Sequence, residues 1–164
     1  MTSCGRVYRG TVWIAFGRRV RPAVAARFGR APQRAEHAAR IVDDAGADVI
    51  LVGDSLANVV LGYADTLQVT IGDMAHHVAA VARTQPRALV VGDLPWLSYH
   101  VSIPDTVQNA ARLVRAGAGA VKLEGGRKRL DSIRSILDAE IPVMGHLGLT
   151  PQSVHVFGGF KVQG

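Results

Sequence analysis

The chain has 164 residues, 48% of them apolar, and a single cysteine, Cys4. That is enough material for one compact core, and the apolar share excludes a disordered chain. No apolar run reaches the roughly 18 residues of a membrane span, and one cysteine excludes an internal disulfide.

The net charge of +6 is unevenly spread. Residues 1–40 hold nine Arg and one acid, Glu36, a net of +8; residues 41–164 carry a net of −2. The basic head has three readings: a nucleic-acid or anionic-surface contact, an organelle-targeting peptide, or an extension without evolved structure. It has no regular periodicity and no interleaved aromatics, which disfavours nucleic acid. "GTVWIAFG" (10–17) is its only strand-like run.

From about residue 37 the chain becomes rhythmic. "AARIVDDAG" reads as a helix end, with Ile41, Val42 and Ala45 on one side and Gly46 as a left-handed cap. "ADVILVGDS" is too short for a helix and rich in β-branched residues, so it reads as a strand. A helix follows near 70–84, with Thr70 and Asp73 at capping-box spacing. "ALVVGDLP" (88–95) is the next strand. A third helix runs from about Pro104 to Ala116, then comes the strand "AVKLEGG". A fourth helix (128–139) carries Leu130, Ile133, Ile136 and Leu137, and "IPVMGHLG" (141–148) is the last clear strand.

Strands alternating with helices imply right-handed crossovers and a buried parallel sheet. Ligands then bind at the carboxyl ends of the strands. There this sequence places Asp54-Ser55, Asp93, Lys122 with Glu124, and His146. Lys122 and Glu124 are two residues apart, so they share one face of their strand. Four consecutive strands ending in ionisable groups point to a shared polar site. Burying such charges without partners costs several kcal/mol each, on the order of the desolvation penalty. Carboxylates without a nearby Cys form a hard-cation set that suits Mg²⁺ rather than Zn²⁺.

"VGDSL" (52–56), "DLP" (93–95) with "SY" (98–99), "VKLEGG" (121–126), "GHLGLTPQS" (145–153) and "GGFKVQG" (158–164) together resemble the ketopantoate hydroxymethyltransferase family. The resemblance runs from about residue 39 to the end. It implies a (βα)₈ barrel, here a partial one of roughly four βα units in residues 37–164, preceded by a basic, poorly ordered extension over 1–36. It also implies transfer of a hydroxymethyl group from 5,10-methylenetetrahydrofolate to 3-methyl-2-oxobutanoate, with Mg²⁺, in pantothenate and coenzyme A synthesis. Carried over by motif, Asp54, Asp93 and Glu124 are the metal residues, Glu124 directly or through water. Asp54, Ser55, Asp93 and Lys122 bind the keto acid, and Lys122 and His146 are catalytic.

The family implies a cytoplasmic homodecamer with keto acid and folate as small-molecule partners and no membrane; organellar targeting by the Arg-rich head is the alternative. Two departures stand out. The family's first strand, of the type "TAYD", has no counterpart upstream of "AARIVDDAG", and the family's later strands, with a proton-transfer glutamate, are not found after "FKVQG". A fragment that is inactive alone is therefore expected. The rival readings are a related Mg²⁺-dependent keto-acid lyase or mutase barrel, and a non-catalytic fragment with a basic interaction segment. His76-His77 and "RKR" (127–129) are expected to be solvated faces, and Trp96 either walls the pocket or simply packs.

Overall fold

A computed structural model describes residues 11–13, 22–24 and 32–157. Cys4, the "GGFKVQG" motif and most of the basic head lie outside these described residues.

Among the described residues, six strands form one sheet: β1 (Thr11–Trp13), β2 (Pro22–Val24), β3 (Val49–Val52), β4 (Leu89–Asp93), β5 (Ala120–Glu124) and β6 (Val143–Gly148). The order across the sheet is β1-β6-β5-β4-β3-β2. Strands β2 to β6 are parallel, and β1 runs antiparallel along β6. The helices α1 (Pro32–Asp44), α2 (Ile71–Ala82), α3 (Ile103–Arg115) and α4 (Leu130–Asp138) connect β2 through β6, and a last turn, α5 (Val154–Phe157), follows β6. This is the α/β architecture of a partial (βα)₈ barrel.

Helix α1 begins at Pro32, so a boundary between residues 36 and 37 falls inside an element. The side of α1 that packs inward carries Ala35, Ala38, Ala39 and Val42, at i, i+3, i+4 and i+7. Ile41, read from sequence as part of that stripe, is 49% exposed. The reason is angular: Ile41 lies one residue, about 100° of helix, from Val42. In α4, Ile136 is buried and Ile133 packs on the core, whereas Leu130 and Leu137 face outward.

Caps set the other boundaries. Thr70 and Asp73 form a reciprocal capping box at the start of α2. Ser102 accepts from the Asp105 N–H at the start of α3, with Pro104 in the first turn. The core runs between sheet and helices through Met74, Val78, Leu113, Val121, Leu123 and Ile136, all with essentially no exposure. Gly92 in β4 shows how close the layers are: a Cβ there would lie 3.1 Å from Leu113 Cδ1 and 3.2 Å from Val78 Cγ2. Among the described residues, no helix is long and apolar enough to cross a membrane.

Candidate active site

The strand register assembles the polar groups. Asp93 is paired with Lys122 across β4 and β5, and Glu124 with His146 across β5 and β6. In a parallel sheet, paired residues point to the same face, and so do residues two apart along a strand. Asp93, Lys122, Glu124 and His146 are therefore driven onto one face at the carboxyl end. Asp54, two residues past the end of β3, joins them from the neighbouring strand.

The side chains form one connected network. Lys122 Nζ donates to Asp93 Oδ2 at 2.8 Å and to Glu124 Oε1 at 3.0 Å. Glu124 Oε1 also meets His146 Nδ1 at 2.9 Å. The Asp54 N–H donates to Asp93 Oδ2 at 3.1 Å. All five residues are buried, Asp93 to 1% exposure.

The balance of charge explains the electrostatics. One ammonium faces three carboxylates. Burial pushes the Asp93 carboxyl well above its ordinary range, against the pull of Lys122. Burial likewise raises Asp54, with Glu124 adding repulsion. Burial alone would lower Lys122, but Asp93, Glu124 and Asp54 together reverse this and hold it charged. Glu124 goes the other way. Burial opposes its ionisation, but the hydrogen bond from His146 and the charge of Lys122 outweigh that and lower it. Lys122 is thus shared between Asp93 and Glu124, and one ammonium does not balance three carboxyls, which leaves Asp54 with Asp93 as the part of the cluster in excess negative charge or protonated.

That pair fits a hard cation. Asp93 Oδ1 is buried without a hydrogen-bond partner, and the Asp54 backbone N–H on Asp93 Oδ2 brings the tips of β3 and β4 together. Mg²⁺ typically takes one or two protein carboxylates and fills its remaining positions with water and substrate. Glu124 fits direct ligation less well, because Lys122 and His146 occupy Oε1 and the Gln152 N–H donates to Oε2 at 3.1 Å. Among the described residues, no group of three His, Cys, Asp or Glu side chains is arranged to hold a metal, so a cation here would rest on two carboxylates.

Two members of the network carry no charge and were not singled out by sequence reasoning. The Tyr99 hydroxyl accepts from the Glu124 N–H at 3.1 Å and donates to Gln152 Oε1 at 2.6 Å. Gln152 Nε2 donates to Asp54 Oδ2 at 2.8 Å and to the Leu94 carbonyl at 3.0 Å. Both residues sit inside motifs already noted, "SY" and "GHLGLTPQS". Their place in the site comes from long-range contacts that spacing does not reveal.

The remaining candidates divide. Ser55 is exposed beside Asp54, and its hydroxyl is not among the hydrogen bonds of the network. Trp96 is half-exposed at the tip of β4, next to Leu97, whose φ of +67° is an uncommon backbone state for leucine. His76 is exposed as expected, but His77 is not: it is buried beside α1, and burial lowers its pKa. Arg127 and Lys128 are exposed, while Arg129 lies 5.7 Å from the centre of the Tyr99 ring.

A sheet of parallel strands whose ionisable residues gather at the carboxyl ends defines a barrel-type unit with its polar site where barrel enzymes carry theirs. A solved structure of the same architecture, assigned as a lyase/mutase from Burkholderia cenocepacia J2315, overlays with a TM-score of 0.51 at 20% identity, covering 73% of this chain and 43% of that one. Residues 34–164 match the family described as ketopantoate hydroxymethyltransferase, and the chain belongs to that family. A 3-methyl-2-oxobutanoate hydroxymethyltransferase from Syntrophomonas wolfei is 64% identical over 127 residues, which is 77% of this chain and 46% of that protein. The protein of the same name from Ignicoccus hospitalis is 61% identical over 126 residues, 77% of this chain and 48% of that protein. The chain thus spans about half the length of the curated relatives it matches.

Proposed function

We propose that the cluster is the keto-acid site of a hydroxymethyltransferase that moves a one-carbon unit from 5,10-methylenetetrahydrofolate to 3-methyl-2-oxobutanoate, giving ketopantoate for pantothenate and coenzyme A synthesis. The observation that carries this reading is the buried Lys122 ammonium, held between Asp93 and Glu124 on the strand face that also bears His146. Such a fixed positive charge is what a reaction building negative charge on an α-keto acid needs. The names of the relatives support the same reaction class.

Each residue has a part in it. Asp54 and Asp93 would hold Mg²⁺. When bound, the metal would supply Lewis-acid polarisation of the keto acid's oxygens. Lys122 balances the charge that develops as the C3 proton leaves. Glu124 fixes both Lys122 and the His146 imidazole, so that His146 presents a set orientation to the reacting carbon. Ser55, exposed at the rim, hydrogen-bonds the incoming keto acid. His146 would take the C3 proton, C3 bonds to the formaldehyde-level carbon carried by folate, and with one water supplying the hydroxyl oxygen the carbon–nitrogen bonds to folate break, so that ketopantoate and tetrahydrofolate leave. The reading extends to a homodecameric assembly working in the cytoplasm, as the family resemblance implies.

The test is ketopantoate formation from the keto acid, methylenetetrahydrofolate and Mg²⁺. A polypeptide of these 164 residues alone is expected to give no measurable transfer. A misplacement of about 1 Å can cost on the order of a hundredfold in rate, and half the relatives' length leaves much of the site unsupported. Joining the remaining barrel strands of a relative to the same chain should give activity, and Asp54→Ala in that protein should cut kcat by orders of magnitude. A joined protein that folds and binds the keto acid but makes no ketopantoate would overturn the assignment.

A further inference from the structure

The charged members of the site sit on four strands, and something must hold Asp54 on β3's tip in register with Glu124 on β5. No strand pairing does so, because β4 lies between them and ends at Asp93. Gln152, in the turn after β6, reaches both. Its backbone N–H binds Glu124 Oε2, and its side chain binds Asp54 Oδ2.

The amide has only one workable orientation. Both Nε2 protons are committed, one to Asp54 Oδ2 and one to the Leu94 carbonyl, and Oε1 receives the Tyr99 hydroxyl. The one Tyr99 proton goes to Gln152 Oε1 at 2.6 Å in preference to the Glu124 carbonyl at 3.3 Å, while the Tyr99 oxygen accepts the Glu124 N–H. The donors therefore run in one direction, from the Glu124 backbone through Tyr99 and Gln152 to the Asp54 carboxylate. Tyr99, Gln152 and Glu124 are all buried, so each link of the chain is made by protein groups and not by bulk solvent.

We propose that Gln152, oriented by Tyr99, is a positioning residue that fixes the Asp54 carboxylate relative to Glu124 for cation and keto-acid binding. This rests on the reading of the cluster as a keto-acid site with Asp54 as a cation ligand. Gln152 does not touch the reacting atoms; it acts through Asp54 and Glu124. A glutamate in its place has the same shape but cannot supply two protons, so the polarity of the link is broken while the volume is kept.

The experiment measures binding of Mn²⁺ in the presence of 3-methyl-2-oxobutanoate, by electron spin resonance, together with the melting temperature. The protein joined to a relative's remaining barrel strands is compared with its Gln152→Glu, Gln152→Ala, Tyr99→Phe and Asp54→Asn variants, and with the double variant Gln152→Ala/Asp54→Asn. Residues that orient a ligand typically change metal affinity by about 10–100-fold, and that loss is expected for both Gln152 variants. Tyr99→Phe should lose less, and Gln152→Ala should have no further effect once Asp54 is Asn. Gln152→Glu sets a further buried carboxyl against Asp54 Oδ2 and the Leu94 carbonyl, so its melting temperature should fall as well, and affinity is read well below that temperature on protein shown to be folded. Wild-type affinity in Gln152→Glu would overturn the positioning role and leave the site reading intact. So would an affinity loss of equal size in the Asp54→Asn background, since it would show action through the fold and not through Asp54. No Mn²⁺ binding by the folded joined protein without substitutions would overturn the site reading, and the positioning role with it.

Discussion

The two ends of the sheet are built on opposite principles. At the amino end, where helices return to strands, the turns are tight and their polar groups are satisfied locally. The Asp43 carboxylate accepts from the backbone N–H groups of Arg87 and Ala88, and these hydrogen bonds hold its pKa down. Gly117 takes a φ of +108° and packs its bare Cα against Ala82. At the carboxyl end, three carboxylates surround one ammonium, and a buried carboxylate oxygen lacks a partner. The first end has no unmet electrostatic demand among these groups. The second keeps one, which is what a site for a cation and an anionic substrate requires.

The sharpest way to break this contrast is at Gly117. An added Cβ would collide with Ala82, and the positive φ disfavours any L side chain. Gly117→Ala should lower stability by about 1–3 kcal/mol or more, the range of overpacked cores, as read by urea denaturation. A change within error would mean that the amino end is looser than its geometry implies.

The second prediction has the opposite sign. The folded pKa of Asp93 is raised, so its contribution to stability is full below the unfolded value of 3.8 and is lost as pH rises through the folded value. At neutral pH, metal-free, the carboxyl is therefore a burden. Asp93→Asn keeps an oxygen for Lys122 and the Asp54 N–H and leaves Lys122 its Glu124 partner. It should stabilise the metal-free chain at pH 8 and do so by less at pH 4, as read by urea denaturation at the two pH values. Destabilisation at pH 8 would show that the Asp93–Lys122 ion pair outweighs the cost of burial.

The smallest effect concerns His100, which stacks on Tyr99 with ring centres 4.2 Å apart. Burial, with Arg129 adding repulsion, lowers its pKa from 6.5 to about 4. The unfolded chain then binds more protons than the folded one between these values. Stability should fall as pH drops from about 6.5 towards 4, and that slope should shrink in His100→Gln. An unchanged slope would assign the acid sensitivity to other groups.

Much of this organisation is legible from sequence because it is local. Short β-branched runs mark β3 and β4, the Thr70–Asp73 spacing marks the start of α2, and Lys122 with Glu124 shares a face by simple alternation. What escapes is what depends on distance along the chain. Gln152 lies 98 residues from Asp54, in a turn with no periodicity, and nothing in its neighbours signals a buried amide. His77 escapes for a related reason. It sits beside an exposed histidine, and its burial depends on α1 crossing over it. The π-helical turn at Ala57–Leu61, closed by Gly62 at a φ of +78°, has no local signature that separates it from an ordinary loop.

The strand order has a consequence for how the chain comes together. Strands β2 to β6 lie side by side in the order in which they are synthesised. Each new strand finds its neighbour already present, one helical crossover back, so the sheet can grow by accretion as polypeptide leaves the ribosome. Closing each such loop costs little entropy, because the cost rises only with the logarithm of length. β1 is the exception: it is made first, yet its partner β6 is the last strand of the sheet to emerge. That edge cannot form until the rest of the sheet exists, so its pairing belongs to the end of folding and the β2–β3 edge to the beginning.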